Sequence, residues 1–189
     1  MKAFEFRTVP HIHVGTGSTV NFAETAALIL SGHRRIFIVS DPGVRAAGLI
    51  DPSIASLESA GFSVCVFDKV QADPPDSVVM DAKIRAEEFG AELIIGFGGG
   101  SSMDTAKLVA LLLGSPQTLE QMYGVNKATG PRLPLILVPT TSGTGSEVTP
   151  ISVITVGESS KMGVNAPPLY PDMAILDAGL TIGLPPAAT

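Results

Sequence analysis

Apolar residues in this chain fall into short unbroken runs, separated by stretches in which they recur every three or four positions. Gly and Pro mark most of the joints. "RRIFIVSD" (34–41) carries four consecutive apolar residues and ends in Ser and Asp, which predicts a buried strand. "DPSIASLESAG" predicts a helix with Asp51 as N-cap, Pro52 at the first position and Gly61 past the end. "FSVCVFD" (62–68) predicts a strand, and "DSVVMDAKIRAEEFG" a helix capped by Asp76 and stopped by Gly90. "ELIIGF" (92–97) predicts a strand, followed by "SMDTAKLVALLLG" as a helix closed by Gly114. "LPLILVP" (133–139), "ISVIT" (151–155) and "MAILD" (173–177) predict further strands.

Short apolar strands alternating with amphipathic helices predict crossover units and a parallel sheet. The expected fold is therefore α/β, doubly wound and mostly parallel. The opening "FEFRTVPHIHVG" alternates instead, and predicts a small antiparallel pair at the sheet edge. With 189 residues, 45% hydrophobic and a mean hydropathy of +0.37, the chain has the material for one domain with a real core. A net charge of −6 argues against nucleic acid or an anionic membrane as partner. The opening has no uninterrupted apolar stretch typical of a secretory signal, and no apolar run approaches a membrane span. The single cysteine, Cys65, excludes an internal disulfide and fits a reducing compartment, so a cytoplasmic location is expected.

The chemistry gathers where strands end. In "GFGGGSSMDTAK", Gly98, Gly99 and Gly100 lie between a strand end and a helix start. Ligands of open parallel sheets sit at that edge, with phosphates at helix N-termini. Glycine admits positive φ and lets a diphosphate approach the amides without meeting a Cβ. Ser101 and Ser102 can cap the helix or donate to phosphate oxygens. Asp104 suits the helix dipole but would repel a phosphate above it, so it is expected to one side. A tight turn with ordinary capping would use the same residues.

A second strand ends in "PTTSGTGSEVT", which places five hydroxyls (Thr140, Thr141, Ser142, Thr144, Ser146) and two glycines within a few positions. Hydroxyls donate and accept without charge, which suits ribose, phosphate and carboxamide groups. Two such loops can flank one crevice, so a nucleotide or similar phosphorylated ligand is expected there. Asp41, in "IVSDPG", ends another strand and could accept from both hydroxyls of an adenosine ribose, or simply head a Pro-Gly turn. It precedes Gly98 by 57 residues, unlike the acid of the usual dinucleotide fingerprint, which follows the glycines.

"GGGSSMDTAK" and "PTTSGTGSEVTPISVIT", with "SDPGV" before them and "PDMAILD" and "GLPPAAT" after, resemble the iron-containing (group III) alcohol dehydrogenases. The resemblance runs over nearly the whole chain. It implies a Rossmann-like, dinucleotide-binding N-terminal domain of the dehydroquinate synthase type over residues 1–189, and an acid placed at the ribose would repel a 2′-phosphate, so NAD is expected rather than NADP. It implies a diphosphate loop at Gly99, Gly100 and Ser101, a threonine loop at Thr140, Thr141 and Thr144, and a ribose acid at Asp41. Lys161 would lie on the ribose or nicotinamide side, Val153 and Leu180 would neighbour the nicotinamide, and Asp73 would be a polar residue near the cofactor. In the family, a segment of the form GxDALTHAIE soon follows "LPPAAT" and supplies the first metal ligands. That segment is not within these 189 residues. The divalent metal, usually iron, is therefore expected in a helical domain outside them.

No set of side chains here completes a metal or hydride-transfer centre. His11 and His13 could share one face of a strand, but no third ligand is near, and an edge-strand pair accounts for them. His33 stands at a helix end, Cys65 inside an apolar strand, and Lys107 one turn after Asp104, where the two can pair on the helix surface. Two functions stay open. One is the cofactor half of a dehydrogenase acting on a small alcohol, expected as a homo-oligomer, with glycerol dehydrogenase and maleylacetate reductase types as variants. The other is a nucleotide-binding module without catalysis.

Overall fold

A computed structural model describes residues 7–157 and 159–183. Its chain order begins β1 (His11–Val14), α1 (Phe22–Thr25), α2 (Ala27–Leu30), β2 (Arg35–Val39), α3 (Pro42–Ala46), α4 (Asp51–Ser59) and β3 (Ser63–Phe67). It continues through α5 (Asp76–Phe89), β4 (Leu93–Gly98), α6 (Gly100–Gly114), α7 (Leu119–Met122) and β5 (Gly124–Val125). The remaining strands are β6 (Leu135–Pro139), β7 (Ile151–Val156), β8 (Ser160–Asn165) and β9 (Met173–Leu176). The main sheet has six strands in the order β1-β9-β6-β4-β2-β3, every neighbouring pair parallel.

Side chains alternate across a strand, and both faces of this sheet are covered, which is why its strands read as unbroken apolar runs. Ile36 and Ile38 join Leu93, Ile95, Phe97, Ile136 and Val138 on one face, packed against Phe22, Leu30, Val44 and Leu57 from α1 to α4. Phe37 and Val39 join Ile94, Leu135 and Leu137 on the other, against Ala82 and Ala86 of α5 and Met103, Ala106 and Val109 of α6. A small second sheet, β5-β8-β7, pairs β7 with β8 antiparallel and β5 with β8 parallel. Its Ile154 and Val164 pack on Leu108, Leu111 and Leu112 of α6. Helix α6 thus lies between two sheets, which explains an apolar composition nearly all round it.

Three expectations change. Strand β1 pairs parallel with β9, with His11 opposite Met173, rather than forming an antiparallel edge pair; residues 1–6 of that expected pair lie outside the described residues. Alternation marks a half-exposed strand but carries no direction, and the antiparallel hairpin is β7–β8 instead. Helix α4 takes Ile50 as its cap, leaving Asp51 in the first turn to pair with Arg45 at 2.6 Å. Helix α5 takes Pro75 as its cap, and Asp76 is its first residue. Gly90 does close α5 in the left-handed region, at φ 70°.

The approach of α6 to β4 depends on Gly96. A Cβ there would lie 2.7 Å from both Ala106 Cβ and Leu137 Cδ2, and 3.2 Å from Met103 Cα. Gly96→Val should lower the unfolding free energy by about 1–3 kcal/mol through overpacking. Urea denaturation reads this, and an unchanged midpoint would mean that α6 and β4 are not held so closely.

Candidate functional site

The C-terminal ends of β2, β4 and β6 lie side by side. Their loops are tied together: Ser40 Oγ donates to the Phe97 carbonyl at 2.8 Å, and Thr140 N donates to the Gly98 carbonyl at 3.0 Å. Above this edge is a cleft of about 910 Å³ whose walls include Asp41, Gly99, Gly100, Ser101, Thr141 and Leu180. Helix α6 opens onto it. Its cap residue is Gly99, and no side chain caps the helix end. A fifteen-residue helix without a capping side chain presents free amide donors and the positive end of its dipole to the cleft.

The left-handed requirement falls on Gly98, with φ 151°, not on Gly99, with φ −76°, or on helical Gly100. A Cβ at Gly98 would lie 2.6 Å from Ser102 Oγ and 2.8 Å from Asp41 Oδ2. In the hydroxyl-rich loop, Gly143 and Gly145 have φ 114° and 64°, a region that favours glycine, and Ser146 just beyond ties the loop to Asp104 of α6. A Cβ at Gly100 would come within 3.3 Å of Thr144 Cγ2, so the two loops meet. Thr141 Oγ1 is buried with no hydrogen-bond partner. Such a hydroxyl is costly unless a ligand completes it.

Of the residues singled out in the sequence, the fold brings Asp41, Gly99, Gly100, Ser101, Ser102, Thr140, Thr141, Ser142, Thr144 and Leu180 around this cleft, with Gly98 against Asp41 and Ser102. Asp41 also caps α3, accepting from Val44 N at 2.9 Å. Asp73, Asp104, Val153 and Lys161 stand outside its walls. Lys161 pairs with Asp73 at 2.5 Å and donates to Thr155 Oγ1 at 3.0 Å, while Thr155 Oγ1 donates to the Asp73 carbonyl at 3.0 Å. Asp73 is held there at φ 53°, unusual for a residue with a side chain. Asp104 does not line the cleft. It accepts from Ser146 Oγ at 2.6 Å and from Val153 N at 2.9 Å, which fastens the hydroxyl-rich loop and β7 to α6.

Three features of the site are not apparent in the sequence: the Val70–Ala72 wall, the bond from Ser102 to Asp41 and the burial of Lys107. The segment Val70–Ala72 lines the cleft, and the one hint of it is that it follows strand β3 on the same edge. Ser102 donates to Asp41 Oδ2 at 3.1 Å. Lys107 is fully buried rather than paired on the surface, and donates to Ser146 Oγ at 2.8 Å and the Ile151 carbonyl at 2.7 Å, with Asp104 Oδ1 at 3.6 Å. His13 Nε2 lies 2.9 Å from Ser18 Oγ at the far edge of the sheet. Among the described residues, no three His, Cys, Asp or Glu side chains converge as a metal site, and no helix is long and apolar enough to cross a membrane.

With this geometry in place, relatives can be compared. The family model for iron-containing alcohol dehydrogenase matches residues 10–178. The sulfoacetaldehyde reductase of Bilophila wadsworthia is 40% identical over 188 residues, covering 99% of this chain and 48% of the relative. The crystal structure of 1,3-propanediol oxidoreductase superposes with a TM-score of 0.92 at 30% identity, covering all of this chain and 49% of that one. The sulfoacetaldehyde reductase of Bifidobacterium kashiwanohense, solved in complex with NAD+, superposes with a TM-score of 0.88 at 27% identity, covering all of this chain and 50% of that one. The chain spans about half the length of the relatives it matches.

Burial drives the Lys107 ammonium down from 10.5 to about 8, only partly opposed by Asp104. The sign follows from proton binding: between about pH 8 and 10.5 the unfolded chain holds more protons at this lysine than the folded one. Its contribution to stability is therefore least below pH 8 and rises by up to roughly 3 kcal/mol as pH climbs through that window. Urea denaturation of the unmodified protein and Lys107→Met across pH 7–10.5 should show this rise only with the lysine present. Parallel pH profiles would contradict it.

Proposed function

This chain belongs to the iron-containing alcohol dehydrogenase family, and from that premise we propose that its residues form the NAD-binding domain of an enzyme moving hydride between a small alcohol or aldehyde and a nicotinamide cofactor. The observation that carries the reading is the N-terminus of α6. It is without a capping side chain, opens onto the cleft, and stands beside a buried Thr141 hydroxyl with no partner. A diphosphate supplies what both lack: negative charge for the dipole and acceptors for the amides and the hydroxyl. The residues present therefore fit a dinucleotide.

In this reading Gly99, Gly100 and Ser101 hold the diphosphate, and Thr140, Thr141, Ser142 and Thr144 close over it. Gly98 shapes the floor, Leu180 supplies an apolar wall, and Asp41 accepts from the adenosine ribose. Val153, Lys161 and Asp73 serve the nicotinamide side, reached through the small sheet, and Asp104 positions that sheet through its bond to Val153 N. Bound there, the nicotinamide gives or accepts the hydride. The chain's own part is to orient the cofactor and exclude water around the diphosphate. A divalent metal, iron by family resemblance, would act on the alcohol oxygen from residues outside these 189, in a helical domain. The working enzyme is proposed to be a cytoplasmic homo-oligomer.

NAD is favoured over NADP because a 2′-phosphate would meet the Asp41 carboxylate. Two such charges about 4 Å apart repel by roughly 1 kcal/mol in water and about 4 kcal/mol at an intermediate dielectric. The nearby arginines give no relief: Arg35 stands at the other end of β2 and pairs with Glu92 at 2.7 Å, and Arg45 of α3 is taken by Asp51 at 2.6 Å. Calorimetric titration should give an NAD affinity about fivefold or more above that for NADP. Asp41→Gly should narrow the gap, with a stability loss of only a few tenths of a kcal/mol, since glycine is itself tolerated at the α3 cap position. Equal affinities unchanged by the substitution would remove Asp41 from the site.

A further inference from the structure

We propose that Ser102 is a positioning residue that sets cofactor preference by holding the Asp41 carboxylate in the orientation that receives a ribose diol. This rests on the dinucleotide reading above. A carboxylate offers about four lone-pair sites, two on each oxygen. In this fold one site on each oxygen is already filled. Val44 N donates to Oδ1 at 2.9 Å from the first turn of α3, and Ser102 Oγ donates to Oδ2 at 3.1 Å from the first turn of α6. The carboxylate is pinned between two helices, with one acceptor position left on each oxygen. A vicinal diol carries two O–H donors and matches that remainder. A 2′-phosphate brings charge and no matching pair of donors.

The glycine at the end of β4 belongs to the same device. A Cβ at Gly98 would sit 2.8 Å from Asp41 Oδ2 and 2.6 Å from Ser102 Oγ, displacing the hydrogen bond it would intrude upon. The first of the three glycines thus makes room for the acid and its serine, whereas Gly99 and Gly100 border the cleft itself. Ser102 is 1% exposed, so its hydroxyl is not spent on water. It sits in the first turn of α6 and caps nothing, which leaves Asp41 as its partner.

Without Ser102 the carboxylate keeps its bond from Val44 N to Oδ1 but Oδ2 is no longer held, so the group can turn about Cβ–Cγ and bidentate acceptance is lost part of the time. Ser102→Ala should weaken NAD binding about threefold to tenfold, leave NADP binding nearly unchanged, and so shrink the NAD-to-NADP ratio by that factor. The substitution removes one buried hydroxyl and leaves Asp41, which is partly exposed to the cleft, and a thermal melt verifies the fold. A merely structural serine would weaken both cofactors alike. In the Asp41→Gly background, Ser102→Ala should leave the ratio unaltered, because the group it positions is gone. The proposal is overturned if Ser102→Ala keeps the ratio within twofold of the unmodified protein, or shifts it equally with and without Asp41. Failure of the unmodified protein to bind either cofactor would instead overturn the dinucleotide reading and this proposal with it.

Discussion

The close seating of α6 on β4 is the constraint from which the rest of the structure follows. Gly96 allows the helix to lie within van der Waals reach of the strand, and α6 then carries both cores: Met103 and Ala106 face the main sheet, Leu108 and Leu111 the small one. A helix buried on both sides cannot shift without disturbing either packing. Its N-terminus is therefore a fixed point, and the site is assembled around a fixed point rather than around a loop.

That placement has an electrostatic cost and an electrostatic use. Burying α6 also buries Lys107, whose ammonium is depressed by desolvation and satisfied by Ser146 Oγ and the Ile151 carbonyl. With Asp104 it forms a polar clamp that fixes the hydroxyl-rich loop and β7 relative to the helix end. The same first turns present donors without a side-chain cap to the cleft and anchor Asp41 through Ser102. Structure and candidate chemistry thus share residues, and a change in the clamp should be felt in both.

Much of this was legible along the chain. Strands buried on both faces read as continuous apolar runs, and Gly90 announced the end of α5 because a left-handed closing residue favours glycine. The two loops over the cleft were readable from their glycines and hydroxyls. What was not legible depends on contacts distant in sequence. Lys107 looked like half of a surface pair because its cover, Ser146 and Ile151, lies about forty residues on. Strand β8 is half-exposed and polar, so "SKMGVN" lacks the apolar run that marks the main sheet. The positive φ fell on Gly98 rather than its successors because α6 begins at once, at Gly100, and draws Gly99 into its cap.

The amides at the start of α6 and the unpartnered Thr141 hydroxyl are proposed to form a diphosphate cradle. Backbone amide chemical shifts followed by NMR during NAD titration test it most directly. The largest shifts should fall on Gly99, Gly100, Ser101 and Thr141, saturating together. Saturable binding that leaves these amides in place and moves α4 or the β5–β8–β7 sheet instead would contradict it.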